Sequence, residues 1–237
     1  MKRTVLLIIP GLLLFAATAG CSTPEQLLGQ THIFGSASRL SLEVTMTMYE
    51  DGTEQTREVE IKLERSSSHD GDLSLYAAVT APPFLRNLRF LTVHRNGRDD
   101  KWMRTSRGVR RLSSGGGEER IFGSDFRAED FSAVDVDALQ PVLVSESGSS
   151  VVLRTSDDRI FTVNTETDLI EEIEYGDGSG TVKRRYRVLE TMVVSGEVVP
   201  RKAEMVDLTD NRRTEIDVRE AEVPASIPRR FFTYGNL

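Results

Sequence analysis

The sequence predicts a mainly β protein whose ten or more short strands form an antiparallel barrel or a strongly curved sheet. From Leu40 onward apolar and polar residues alternate with a period of two, which indicates strands with one face in water. Turn-forming pairs such as Asn96-Gly97 separate these segments. The length of 237 residues suits one domain of this kind.

The composition is that of a globular protein. Residues of the AVILMFWYC set make up 38% of the chain and charged residues 28%, with a formal net charge of -7. This charge argues against a protein that binds nucleic acid through phosphate contacts over a whole face. A single cysteine excludes an intrachain disulfide framework and a Cys-rich zinc site.

Residues 1–20 have the pattern of a signal peptide. Lys2 and Arg3 precede an apolar run from Val5 to Phe15, and small residues follow it. The run is too short for a transmembrane helix, which needs about 20 apolar residues, and Pro10-Gly11 interrupts it. We therefore expect residues 1–20 to be removed on export.

The only cysteine, Cys21, directly follows this segment. Thr18-Ala19-Gly20-Cys21 resembles the bacterial lipobox, which implies lipidation of Cys21 and its exposure as the mature N-terminus. Two or more acyl chains anchor a protein stably to a membrane. Residues 21–38 then read as a tether, and Ser22 favours the outer membrane over the inner. The alternative is a soluble secreted protein cut near Ala19.

The first strand candidates form a hairpin over residues 40–64, in which Leu40 to Met48 and Val59 to Leu63 alternate about an Asp51-Gly52 turn. Helix is scarce: one short helix is expected from Ser124 or Asp125 through Phe131, and another turn from Asp135 to Leu139. The later strand candidates are Leu73 to Val79, Arg89 to Arg95, Lys101 to Thr105, Val142 to Glu146, Val151 to Thr155, Ile160 to Asn164, Leu169 to Tyr175, Thr181 to Leu189, Lys202 to Leu208 and Thr214 to Arg219.

Positive charge is concentrated between residues 86 and 111. Nine basic residues stand there against Asp99 and Asp100, whereas the chain as a whole is acidic. Such asymmetry indicates a surface that faces an anion. The alternative is a core interleaved with arginines on the wet face, since arginine stems also cover apolar surface.

Four sequence segments resemble the LolA-like outer-membrane lipoprotein-sorting proteins of bacteria. They are Pro83 to Leu91, Trp102 with Gly108 to Leu112, Phe122 to Asp130, and Val199 to Met205 with Arg213-Thr214. Asn87 departs from the family, which usually has glycine there. The resemblance covers about residues 40–237. It implies an incomplete, half-open antiparallel β-barrel of about ten or eleven strands, with short lid helices around an apolar cavity for acyl chains, and a single domain over residues 39–237.

Catalytic and metal-binding patterns are weak. The three histidines lie far apart in sequence, and Ser124 lacks the second glycine of a nucleophile elbow. Gly115-Gly116-Gly117 precedes two glutamates, which would repel a phosphate. Asp125, Glu129 and Asp130 resemble the carboxylates of a glycoside hydrolase, but helix capping explains them better. We expect no enzyme activity, no metal and no cofactor.

The function expected is that of a periplasmic, lipid-anchored protein that binds a lipid or an acylated lipoprotein, as sorting acceptor or transporter-associated carrier. The resemblance implies a partner of the resistance-nodulation-division transporter type. The alternative is a periplasmic sensor or interaction module. The lipid-binding candidates are Met46, Met48, Phe84, Leu85, Phe90, Trp102 and Met103. The candidates for headgroup or partner contact are Arg86, Arg89, Arg104, Arg107, Arg110 and Arg111.

Overall fold

The structure is a computed structural model that describes residues 22–66, 72–112 and 119–237. The expected signal peptide, Cys21 and Gly115 to Gly117 lie outside these described residues. None of the helices in the described ranges is both long and apolar enough to span a membrane.

Thirteen antiparallel strands form one open sheet, in the order β6-β5-β4-β3-β2-β1-β13-β12-β11-β10-β9-β8-β7. The mainly β, incomplete-barrel prediction is confirmed. The strands are β1 (Arg39–Glu50), β2 (Thr53–Arg65), β3 (Leu73–Ala81), β4 (Arg89–Arg95), β5 (Arg98–Thr105), β6 (Gly108–Leu112), β7 (Val142–Ser147), β8 (Ser150–Arg154), β9 (Arg159–Asn164), β10 (Leu169–Gly176), β11 (Val182–Val194), β12 (Glu197–Asp207) and β13 (Arg212–Glu222).

The strand count exceeds the expected ten or eleven. Strand β6 was not predicted, because Arg110 and Arg111 interrupt the alternation of apolar and polar residues along it. The β1–β2 hairpin was predicted correctly. Asp51 and Gly52 both have positive φ values, 49° and 75°, as a two-residue hairpin turn requires.

One face of the sheet, here called the inner face, carries the main core. Alternation along β1 places Leu42, Val44 and Met46 on it, and Phe161 of β9 belongs to the same core. Residues 119–140, here called the cap, pack against this face through two 3₁₀ turns, Ile121–Gly123 and Ala128–Phe131, and helix α2 (Val136–Leu139).

The outer face of β3 to β6 carries a second, smaller core. Tyr76 and Leu91 pack there with Ile227, Phe232 and Leu237 of residues 224–237, here called the strap. Strand alternation alone produces the two cores, because neighbouring residues of a strand point to opposite faces. The strap therefore lies on the opposite side of the sheet from the cap.

The tether expected over residues 21–38 is corrected by the structure. Pro24–Gln30 form helix α1, whose N-cap Thr23 accepts a hydrogen bond from Gln26 N through its side chain. Leu28, Phe34 and Ala37 are buried in the main core. The Leu27-Leu28 pair thus belongs to a packed amphipathic turn, and residues 24–37 are part of the domain.

Candidate functional site

A cavity of about 770 Å³ opens between the second half of the cap and strands β9 to β11. Ile33, Phe161, Ile170 and Ile173 give it an apolar floor. Ile170 and Ile173 share the inner face although they are three residues apart, because the β9–β10 register shifts between Ile170 and Glu172. The cavity therefore depends on a bulge that a strict period of two does not predict.

A buried arginine closes one wall of the cavity. Arg184 of β11 is 3% exposed, and its Nη2 lies 3.0 Å from Asp130 Oδ1 and 3.1 Å from Glu129 Oε1. Its guanidinium also lies 4.3 Å from the ring centroid of Tyr175. Burial by itself would lower the pKa of Arg184, but Asp130 and the neighbouring groups raise it. Arg184 consequently stays charged and holds the Ala128–Phe131 turn against β11.

A second polar contact fastens the cap to β13. Thr214 Oγ1 donates to Asp125 Oδ2 at 2.8 Å and accepts from Asp125 N at 2.9 Å. Arg120 Nη2 lies 2.9 Å from Asp125 Oδ1. Burial raises the pKa of Asp125, while Thr214 and Arg120 act against this rise. The cap is thus joined to two separate strands by buried charged groups.

These contacts correct the expectation that Ser124 or Asp125 caps a helix. Ser124 Oγ donates to Ile121 O, and Asp125 binds Thr214 and Arg120 instead of helix amides. The segment forms only a 3₁₀ turn at 128–131, where Arg127 N donates to Asp130 Oδ2. The second expected turn is present as α2, with Asp135 as its N-cap.

His32 lies in the cavity wall and is buried. Burial lowers the pKa of this imidazole to about 3, with a further contribution from Arg65. Phe34 N donates to His32 Nδ1 at 3.2 Å, and the two rings stack with their centroids 5.6 Å apart. His32 is therefore neutral at physiological pH. In the described ranges, no three His, Cys, Asp or Glu side chains are grouped so as to hold a metal ion.

The predicted lipid-binding residues are spread over three environments. Met46, Met48, Phe90 and Met103 are buried on the inner face, and none of them lines the cavity. Phe90 packs instead on Phe131 of the cap, with ring centroids 6.0 Å apart.

The other three candidates lie elsewhere. Trp102 is on the outer face, where its ring lies 6.3 Å from Tyr234 of the strap, and so lies on the opposite side of the sheet from Phe90 and Met103; lipid binding by Trp102 stays a prediction. It neighbours Met103 in β5 and so points the other way. Leu85 is partly buried against the main core, whereas Phe84 is 80% exposed at the β3–β4 turn.

The predicted arginine cluster is also divided. Arg89 and Arg104 donate to backbone oxygens of Asn236 and Leu237 and so hold the strap. Arg110 pairs with Glu119 and Arg111 with Asp100. Arg86 donates to Thr80 O at the β3–β4 turn.

Arg107 differs from these arginines because the described part of the chain offers its guanidinium no hydrogen-bond or ion-pair partner. It is exposed at the β5–β6 turn. Headgroup contact by this set stays a prediction.

Sequence reasoning missed the basic residues of the cavity: Arg127, Arg159, Lys183 and Arg184. One signal was available for Arg184. In the run Lys183-Arg184-Arg185-Tyr186, alternation places Arg184 on the same face as Tyr186, which is buried. A charge at an inward position needs a buried partner, and Glu129-Asp130 of the cap supplies it.

One family model, described as "Uncharacterized protein", matches residues 71–237. The chain belongs to this family. No curated protein matches the sequence. The structure is similar to a DUF1329 family protein from Desulfovibrio piger, with TM-score 0.78, 16% identity, and coverage of 91% of this chain and 100% of the other.

Two further solved structures are similar. An outer membrane lipoprotein-sorting protein domain from Vibrio parahaemolyticus has TM-score 0.74 and 15% identity. The match covers 84% of this chain and 91% of the Vibrio chain. A LolA superfamily protein from Nitrosomonas europaea has TM-score 0.68 and 18% identity. The match covers 92% of this chain and 100% of the Nitrosomonas chain. At such identities the similarity shows the fold, and the predicted LolA-like fold is confirmed.

Proposed function

We propose that this protein is a non-enzymatic envelope lipoprotein that accommodates acyl chains of a lipid or of another lipoprotein in the cavity. The observation that carries the proposal is the cavity of about 770 Å³ with its floor of Ile33, Phe161, Ile170 and Ile173. This volume falls within the range of roughly 300–1,000 Å³ that ligand cavities in proteins span. The LolA-like fold, which the lipoprotein-sorting domain from Vibrio parahaemolyticus shares, supports this assignment.

The role proposed is that of an acceptor or a transporter-associated carrier in lipoprotein or lipid sorting. Anchoring through Cys21 would keep the domain at the periplasmic face of a membrane, with the outer membrane preferred, and a transporter of the resistance-nodulation-division type would be its partner. The support for the anchor is the lipobox-like Thr18 to Cys21 sequence.

The β3–β4 turn is proposed as the membrane contact of the carrier. Phe84 follows Pro82-Pro83 in a 3₁₀ turn and is 80% exposed. Arg86 and Arg107 are exposed on the β3–β4 and β5–β6 turns, which lie at the same end of the sheet. An exposed aromatic ring beside guanidinium groups suits the interface of an anionic bilayer.

Mass spectrometry of lipid extracted from the purified protein tests acyl-chain binding. Ile173→Trp fills the cavity from its floor, while Val193→Trp adds the same ring at a site that is 70% exposed on β11. We expect stoichiometric lipid with the wild type and Val193→Trp and a strong loss with Ile173→Trp, with all three proteins folded by circular dichroism. Equal lipid in the two variants, or none in the wild type after incubation with vesicles, contradicts the proposal.

Metabolic labelling with a fatty-acid analogue tests the anchor. Cys21→Ala should abolish labelling and leave the melting temperature of the domain unchanged, because a chain with a single cysteine has no intrachain disulfide to lose. Label that persists in the variant, or is absent from the wild type, contradicts lipidation at Cys21.

A further inference from the structure

The cations that line the cavity are not equivalent. Arg159 Nη2 lies 2.6 Å from Asp157 Oδ2, and Arg184 pairs with Asp130 as described above. Lys183 Nζ lies 3.1 Å from Asp177 Oδ2. For the guanidinium of Arg127, the fourth cation, no hydrogen-bond or ion-pair partner exists within the described ranges. Arg127 is therefore the one lining cation without a close ion pair in the described ranges, although its charge acts against the rise that burial causes in the pKa of Glu129.

The carboxylates at the cavity are already engaged. Glu129 and Asp130 meet Arg184, and Asp157 meets Arg159. The remaining three have partners too: Asp207 and Asp210 lie near Arg212, with closest distances of 3.6 Å and 2.5 Å, and Asp135 accepts from Ala138 N at 3.1 Å. Several of these carboxylates share one cation, and Arg127 is the lining cation with which an anionic ligand could pair without displacing a close ion pair.

Two neutral donors accompany Arg127. Because His32 Nδ1 accepts from Phe34 N, the neutral ring carries its proton on Nε2. Ser132 Oγ is buried and has no hydrogen-bond partner in the described part of the chain. Both residues line the cavity.

Two segments carry the three groups to the cavity, the cap and residues 32–34. Arg127 and Ser132 flank the same 3₁₀ turn, Ala128–Phe131. Phe131 stacks on Phe34 at 6.4 Å, and Phe34 stacks on His32 at 5.6 Å. A guanidinium, an imidazole N–H and a hydroxyl thus border one cavity whose floor is apolar. Of the three, Ser132 Oγ is a buried atom without a partner in the described chain, and such a group is expensive unless a ligand or water satisfies it.

We propose that the cavity selects an amphiphile with one oxyanion, a carboxylate or a phosphate on an acyl chain. The oxyanion accepts from Arg127, His32 Nε2 and Ser132 Oγ, and the chain lies on Phe161, Ile170 and Ile173. This inference rests on the proposed acyl-chain function and adds the class of headgroup.

Titration calorimetry at neutral pH with dodecanoate and with dodecan-1-ol tests the selection, because the two probes differ only in the polar end. The wild type should bind dodecanoate about tenfold more tightly, since hydrogen bonds to a charged group are among the stronger ones. Arg127→Gln should remove this preference. Arg154→Gln, on neighbouring β8 outside the cavity, is the matched control and should keep it.

Ser132→Ala gives a second test that does not disturb folding. The hydroxyl makes no hydrogen bond in the described chain, so its removal should leave the melting temperature unchanged or raise it slightly. Dodecanoate binding should weaken by about threefold to tenfold, whereas dodecan-1-ol binding stays the same. A purely structural serine would change neither affinity.

The outcomes separate this inference from the function on which it rests. Equal affinities of the wild type for both probes overturn the oxyanion site and leave acyl-chain binding intact. Binding of neither probe overturns both. Dodecyl phosphate should compete with dodecanoate, and inorganic phosphate at the same concentration should not. Competition by inorganic phosphate would mean a site for the free anion and would overturn the amphiphile assignment.

Discussion

The inner face of the sheet has two halves with the same strand pattern and different fillings. On strands β1 to β5, Met46, Phe90 and Met103 form a packed core with the aromatic residues of the cap. On strands β9 to β11 of the same face, Phe161 and Ile173 border a cavity of about 770 Å³. The strands therefore set which residues face inward, and the path of the cap decides which of these buried residues border the cavity.

The cap follows this path because two buried polar contacts hold it. Asp130 meets Arg184 and Asp125 meets Thr214, so the cap is fixed to β11 and β13 at points about five residues apart in sequence. A buried contact of this kind adds little net stability while both partners are present. Removing one partner is costly, because the other is left as a buried group without compensation. Substitutions at these two contacts should therefore have the largest effect on the contrast between the packed half and the cavity half.

Arg184→Met should have the largest effect. It leaves the carboxylate of Asp130, which is 2% exposed, without its guanidinium, and the free energy of unfolding should fall by about 3–5 kcal/mol. Urea denaturation measures this loss. Arg185→Met is the control on the next residue, where the pair with Glu174 is a third exposed and should contribute at most about 1 kcal/mol. Equal losses would show that Arg184 does not hold the cap.

A matched pair of glutamine variants sharpens the comparison of the two halves. Met46→Gln places an amide in the packed half and should cost about 1–3 kcal/mol, with dodecanoate binding per folded molecule unchanged. Ile173→Gln, on the cavity floor, should weaken that binding at least several-fold. Denaturation and calorimetry on the same samples separate the two effects. Weaker binding by Met46→Gln than by Ile173→Gln would place the ligand in the packed half of the inner face and not in the cavity.

The strap on the outer face should be independent of the cavity. Arg104→Met removes the hydrogen bond of 2.6 Å from Nη1 to Leu237 O and should lower the free energy of unfolding by about 1–2 kcal/mol. Hydrogen exchange should rise in the strap and remain unchanged in β9 and β10. Arg98→Met, exposed on the same strand, should leave both unchanged. Faster exchange at the cavity would contradict this independence.

The exposed arginines should have the smallest effects. Arg107→Gln should weaken binding to anionic vesicles by about 1 kcal/mol at low salt and less at high salt, because this guanidinium is unpaired in the described chain. Arg111→Gln should do less, since Arg111 pairs with Asp100. Vesicle sedimentation at two salt concentrations measures both. If Arg111→Gln weakened vesicle binding as much as Arg107→Gln or more, the result would contradict the proposed membrane contact.

Much of the sheet could be predicted from the sequence, because a strand with one buried face leaves a period of two in its residues. The hairpin of β1 and β2 and the inward direction of Met46 follow from this period. The cavity could not be predicted in the same way. Its floor depends on the bulge after Ile170, and its wall on contacts between Arg184 and Asp130, which lie 54 residues apart. Non-local contacts of this kind leave no local pattern.

The same limit applies to the placement of Trp102. Its aromatic character indicated a binding residue, but its place beside Met103 puts it on the outer face under the strap. The strap itself has little periodic pattern, since it covers the sheet through 3₁₀ turns at Arg229–Phe232 and Tyr234–Asn236. A segment without a periodic pattern cannot be assigned to one face of a sheet from its sequence, and only the three-dimensional structure shows where it packs.

Photo-crosslinking with a diazirine-bearing fatty acid tests the central claim, which is that acyl chains occupy the cavity half of the inner face. The account predicts label on peptides of β9 and β10 that contain Phe161, Ile170 and Ile173, and its loss when dodecanoate competes. Label on peptides with Met46, Phe90 and Met103, with β9 and β10 unlabelled, would place the acyl chain in the packed half of the inner face and contradict its placement in the cavity.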